Sequence, residues 1–228
     1  MNNLALAGAL ATAPSSAFAE LRERPRFWFP LLLLVASTVA ISYWYYSMVD
    51  IEWLKDAMFS NNPNLQDAQR AAAMGVVTRT TLLWSSVVGS CIALPVFLLL
   101  QALILLLVAK ITRVPLGFKH WFAMASWSSL PALLGIVAAA IFLVLSDTNQ
   151  VSPGVLQPLS INELLIHRPM GSPGQTLLDS LSIPGLLCWL LMIIGVRAWS
   201  QRSWLFSSTF VLLPIVLIYA LWAFLAFR

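Results

Sequence analysis

The side chains able to do chemistry are few in this 228-residue chain. Cys91 and Cys188 both lie inside apolar runs, with no CxxC and no metal-ligand spacing, and read as small buried thiols. The histidines, His120 and His167, stand in separate polar segments. There is no Walker loop, GxSxG, HExxH or helix-opening GxGxxG. No apolar run carries Asp or Glu at its centre, where a proton-coupled carrier needs one; Asp147 and Asp179 sit at run edges. What remains is polar or basic. Gln101, Ser126, Ser128 and Ser129, with Pro131, form a polar set within two apolar runs. Such residues bond neighbouring helices or line a path across a membrane. Eight basic residues, Arg22, Arg24, Arg26, Lys110, Arg113, Lys119, Arg197 and Arg202, flank apolar runs. No cofactor, metal or catalytic set is implied, so a non-enzymatic protein is expected.

The elements that position these groups are membrane helices. The chain is 60% hydrophobic and 10% charged, whereas soluble domains carry about 25% charged residues. Too little charge is present to cover a water-facing surface. Five spans are predicted, at about 27–49, 81–109, 121–145, 180–198 and 204–227, forming one membrane domain over 27–228 behind an N-terminal segment 1–26. Pro95 and Pro214 offer kinks within the second and fifth spans. Residues 1–20 imitate a secretory leader, but Pro14 and a start without Lys or Arg favour a retained surface helix, SAFAELRERP, capped by a Ser. Its Phe18 and Leu21 share one face and could lie on a membrane surface. Two longer polar segments follow. The first opens with interfacial Ile51, Trp53, Leu54, Met58 and Phe59 and has a helix start at Asn62-Pro63. The second holds the capping-box pattern Ser160-Ile161-Asn162-Glu163 before a short helix, INELLIH. Tyr43, Trp44, Tyr45 and Tyr46 mark the far interface of the first span.

Charge sets the expected orientation. With a cytoplasmic N-terminus and five crossings, the inner side holds the eight basic residues against Glu20 and Glu23, a net of +6. The outer side holds five basic against seven acidic residues, a net of −2. Each of the three inner segments is basic, as the positive-inside rule requires. The two histidines then fall on opposite sides and cannot share a metal.

The order of short motifs resembles the Yip family, the Rab/Ypt-interacting-protein domain, in its bacterial branch. The carriers are Phe18-x-x-Leu21-x-x-Arg24-Pro25, Gly117-Phe118-Lys119, and Ala125-Ser126-Trp127-Ser128-Ser129-Leu130-Pro131. They continue in Leu159-Ser160-x-x-Glu163-Leu164-Leu165, Leu178-Asp179-Ser180-Leu181-Ser182-Ile183, Trp189 and Gly195. The resemblance implies an integral membrane protein without a known catalytic residue. Eukaryotic members are linked to membrane trafficking and small GTPases. Their Asp-Leu-Tyr-Gly-Pro stretch is not in this chain, so that partner is not carried over.

The expectation is a multi-pass protein of the cell inner membrane that organises membrane or partner proteins. It would act through helix packing and a basic cytoplasmic face on anionic lipids, with self-association or other membrane proteins as further partners and no nucleic acid. The alternative is a small transporter, channel or lipid-moving protein whose path is lined by the polar set.

Overall fold

The computed structural model describes residues 1–60, 72 and 74–228. Among them the regular structure is helical, with no strand and an isolated antiparallel bridge between Ser160 and Ser182. The helices are α1 (Asn3–Thr12), α2 (Pro14–Glu23), α3 (Trp28–Met48), α4 (Ile51–Ser60), α5 (Arg79–Ile111), α6 (Phe118–Ser128), α7 (Ala132–Leu145), α8 (Gln175–Ser180), α9 (Ile183–Ser200) and α10 (Trp204–Ala226). A 3₁₀ turn, Pro153–Leu156, and a π-type turn, Asn162–Ile166, lie between α7 and α8. Five stretches are long and apolar enough to cross a membrane: α3, α5, Phe118–Leu145, α9 and α10. The helix start expected at Asn62-Pro63 lies outside the described residues.

The third span is broken where its sequence requires it. Pro131 has no N–H to donate, and its ring would clash with the carbonyl of Trp127 four residues back. That carbonyl instead accepts from the Leu130 N–H at 3.2 Å, and the chain re-enters a helix at Ala132. Pro95 and Pro214, by contrast, sit inside helices that continue past them. α5 has 33 residues, about 50 Å of helix against a hydrocarbon core of about 30 Å. It ends on Arg113 at φ 58°, with Val114 N–H bonded to Ala109 O at 2.8 Å. This is a Schellman-type stop, with an arginine where glycine is usual.

The serines expected to start α2 do not cap it. Pro14 takes the first helical position, where a missing N–H costs nothing, and the Ser16 hydroxyl turns back to Ala13 O. The leader-like residues before it form α1, with Leu6 and Leu10 buried. The capping box at Ser160 is half made. Ser160 Oγ accepts the Glu163 N–H at 3.2 Å, while the Glu163 carboxylate lies against Gly154, leaving no room for a side chain there.

The chain divides into two compact units. Unit one comprises Met1–Leu34, Ala93–Ala132 and Gly185–Leu221. At its centre is α6, whose residues Trp121 to Ser128 are all buried, the mark of a helix enclosed on every side. Trp121 stacks on Phe210 at 5.3 Å and meets Trp199 edge-on at 5.7 Å; Phe18 meets Trp199 edge-on at 6.2 Å. The apolar face of α2 (Ala17, Phe18, Leu21) is thus spent inside the protein. Gly195 on α9 lets this happen: a Cβ there would come within 2.9 Å of Met124 Cε and 3.0 Å of the Phe18 ring.

Unit two comprises Val35–Ile92, Leu133–Pro184 and Trp222–Arg228. Its core gathers Ile41, Tyr45, Val49, Leu54, Ala139 and Leu143. Of the aromatic cluster on α3, Tyr43 and Trp44 are exposed, but Tyr45 is fully buried and donates its hydroxyl to Val151 O at 2.8 Å. The Arg79 guanidinium donates to the carbonyls of Tyr46, Ser47 and Val49, closing the C-terminus of α3.

Two substitutions, one in each unit, test the packing. Gly195→Leu is expected to destabilise the protein by about 1–3 kcal/mol through overpacking against Phe18. Gly135→Ala, whose Cβ would meet Pro184 at an ordinary 3.7 Å, should change little. Thermal unfolding in detergent reads both, and equal melting of the two variants would overturn the account.

Candidate functional site

All eight basic residues singled out in the sequence fall within unit one, together with Glu20 and Glu23, a net of +6. The chain's remaining five basic and seven acidic residues lie outside it. Arg26 is half-buried and is spent on structure: it donates to Met1 O at 2.7 Å and pairs with Glu20 at 3.3 Å. The other seven are exposed, and among the described residues none of them is paired with a carboxylate. Arg197 lies over the Trp204 ring at 4.1 Å and Arg202 over the Phe206 ring at 4.5 Å. Stacking of this kind occupies the guanidinium faces and leaves the N–H edges outward.

Three ring nitrogens place the basic N-terminal residues. Trp199 Nε1 donates to Phe18 O at 2.6 Å, and Trp127 Nε1 donates to Arg26 O at 2.6 Å. His120 Nε2 lies 3.2 Å from Arg22 O, the geometry of a donated bond in the tautomer protonated at Nε2. The acceptors, residues 18, 22 and 26, recur every four residues, so α6 and α9 grip one edge of the N-terminal segment. No sequence motif signals this grip; the hint available was the Trp and His content of the two helices, and the partner carbonyls carry no residue-type signature.

The intramembrane polar set is dispersed. Ser126 and Ser129 return their hydroxyls to Phe122 O and Ala125 O on their own helix, each at 2.8 Å. Ser128 is fully buried and its hydroxyl has no partner in the structure. Gln101 lines a different space, a cavity of about 250 Å³ walled by Phe97, Trp189, Met192, Pro214 and Tyr219 among others, with none of the three serines or Pro131 on its wall. The Gln101 Oε1 is shielded from solvent and unpartnered there. Cys91 is exposed and Cys188 partly buried, both as free thiols. Among the described residues no group of three His, Cys, Asp or Glu is placed to hold a metal ion.

Unit two holds two interacting carboxyls, Glu163 of the capping-box pattern and Asp179 at a run edge. Burial raises the pKa of Glu163, the nearby Asp179 raises it further, and His167 opposes the rise. Burial also raises Asp179, against hydrogen bonds from Asn162 and Gln175, the latter at 3.0 Å. Both groups therefore hold a proton more tightly when folded than when unfolded. Their contribution to stability is full at acid pH and is lost as pH rises through the raised values. The local backbone bonds Ile161 N–H to Leu181 O (2.7 Å) and Ile183 N–H to Leu159 O (3.0 Å) report on this segment. Their amide-exchange protection, corrected for intrinsic rate, should fall between the ordinary carboxyl range and neutrality. Glu163→Gln should flatten that dependence; an unchanged slope would overturn the coupling.

The profile of the Yip1 domain matches residues 7–225 of the chain. No curated protein and no solved structure matches it. The matched segment takes in α2, all five apolar spans to within one residue of the end of α10, the enclosed α6 and the ring-nitrogen grip. The chain belongs to the Yip1 domain family and is a polytopic membrane protein.

Proposed function

We propose that the protein organises membrane lipids or neighbouring membrane proteins, without catalysis, by presenting the basic face of unit one to anionic lipid at the cytoplasmic surface of the inner membrane. The observation that carries this reading is the gathering of all eight basic residues in one compact unit, seven of them exposed and without a carboxylate partner among the described residues. The positive-inside rule assigns such a face to the cytoplasm, which orients the N-terminus inward and the C-terminus outward. Each Lys or Arg near an anionic surface contributes about 1 kcal/mol. Apolar helix surface is available for self-association, Trp84, Ile92 and Phe97 being exposed on α5.

A second reading, a lipid- or solute-moving protein, rests on the unpartnered Gln101 Oε1 in its cavity. A buried acceptor without a donor is unfavourable by about 1–3 kcal/mol, which a passing hydroxyl or amide would relieve.

The two readings predict different outcomes. Under the first, Lys110→Gln, Arg113→Gln, Lys119→Gln lowers binding of the purified protein to phosphatidylglycerol-containing vesicles, more so at low salt than at high salt. Unchanged partition would sink it. Under the second, lipid or solute flux in reconstituted vesicles falls in Gln101→Leu, and cysteines placed at Ser126 and Ser129 react with aqueous thiol reagents if a path includes the serines. Flux equal to that of empty vesicles would remove this reading.

A further inference from the structure

The seven unpaired basic residues are not equivalent. Two of them line a recess of about 300 Å³ in unit one, walled by Ser15 and Ala19 of α2 and by Arg197, Ala198, Gln201 and Arg202 around the end of α9. Its construction is specific. α9 stops at Ser200, and Gln201 adopts a left-handed backbone, φ 55°, where glycine is usual. Two bonds hold it there: its N–H to Arg197 O at 2.9 Å, and its side-chain amide to Ala198 O at 2.7 Å. The turn sends Arg197 and Arg202 to neighbouring rings at the start of α10, Trp204 and Phe206. Each guanidinium is therefore held flat, with its rotamer freedom already restricted before anything binds. Ser15 and Ala19, four apart on α2, supply a hydroxyl and a small side chain that keeps the wall open. Among the described residues no carboxylate lines the recess.

We propose that this recess is a binding site for a phosphate group, held between the N–H edges of Arg197 and Arg202 with the Ser15 hydroxyl as a further donor. Arginine forks match the spacing of phosphate oxygens and bind them in pairs. Leu205, beside Arg202 at the start of α10, is 78% exposed, and Trp204 is 48% exposed. An apolar surface next to a phosphate pocket suits an amphiphile, so a lipid headgroup is the favoured source, with a soluble phosphate compound as the other. The proposal deepens the anionic-lipid reading by selecting one site from the basic face, and it rests on that reading for the lipid source.

The test compares two variants that remove equal charge from the full-length protein. Arg197→Gln, Arg202→Gln alters the recess; Lys110→Gln, Arg113→Gln alters the face elsewhere. Native mass spectrometry counts phosphatidylglycerol retained after mild delipidation. The recess variant should lose retention about tenfold, the size of one lost charge-assisted hydrogen bond, and the control variant, which weakens only the face-wide attraction, should lose clearly less. Equal losses in both would overturn the site while leaving the face-wide reading intact. Wild-type retention in both would overturn the site as well. Because the glutamines also remove two ring contacts, Arg197→Lys, Arg202→Lys serves as a second pair that keeps the charge; it should retain less than wild type, and full retention would overturn the two-fork geometry. A parallel arm with labelled inorganic phosphate in lipid-free micelles separates the sources. Phosphate held by the wild type and lost in the recess variant supports the site with a soluble ligand. Phosphate held equally by both overturns it.

Discussion

The packing of unit one depends on three backbone carbonyls of the N-terminal segment meeting ring N–H donors from two other helices. A helix leaves its last carbonyls without internal partners, as at Arg22 O near the end of α2, and Arg26 O lies beyond that helix, while Phe18 O inside it takes a further donor. The N-terminal segment places its turns where ring nitrogens from two other helices can reach them: Trp199 at Phe18 O, His120 at Arg22 O and Trp127 at Arg26 O. The donors are attached to large apolar rings, so one side chain supplies both the hydrogen bond and the packing. Phe210 and Trp199 then close on Trp121 of α6, with Phe18 packed edge-on against Trp199.

This grip also explains how charge is displayed. Arg22 and Arg24 stay exposed because the other edge of their helix is held. Arg197 and Arg202 are spread over rings instead of reaching for carboxylates. Unit two solves the same backbone problem with different chemistry. There an arginine, Arg79, turns inward to satisfy three carbonyls at the end of α3, and Asp50 caps α4 through the Glu52 and Trp53 N–H groups. One unit uses rings at three carbonyls of its N-terminal segment and leaves seven of its eight basic side chains outward; the other spends Arg79 on the end of α3. The difference accords with the division of charge between them and bears on the proposed function, since a cation used as a cap is not available to lipid.

The polar residues within the spans show how far local pattern reaches. Gln101, Ser126, Ser128 and Ser129 look equivalent in sequence, as polar breaks in apolar runs. In the fold two serines are absorbed by their own helix backbone, one is buried without a partner, and Gln101 faces a cavity that none of the serines lines. Hydroxyls bond one turn back wherever the helix permits, so a serine-rich stretch does not by itself define a path.

What the sequence by itself determined is what depends on short-range properties. Span length and number follow from the apolar run needed to cross about 30 Å, and the break at Pro131 follows from a missing N–H. The grouping of basic residues beside particular spans, and the order of motifs shared with the family, are also written along the chain. What only the tertiary structure decided depends on partners far apart in sequence. Phe18 spent its apolar face on Trp199, 181 residues away, because a fully enclosed ring gains more than one lying at an interface. Ser15 met Arg197 and Arg202 across a shared recess, and Asp179 came close enough to Glu163 to raise its proton affinity in a half-buried segment. Side-chain type announces what a group can bond; which carbonyl, ring or carboxyl stands opposite it is set by the packing of helices, and no local pattern encodes that distance.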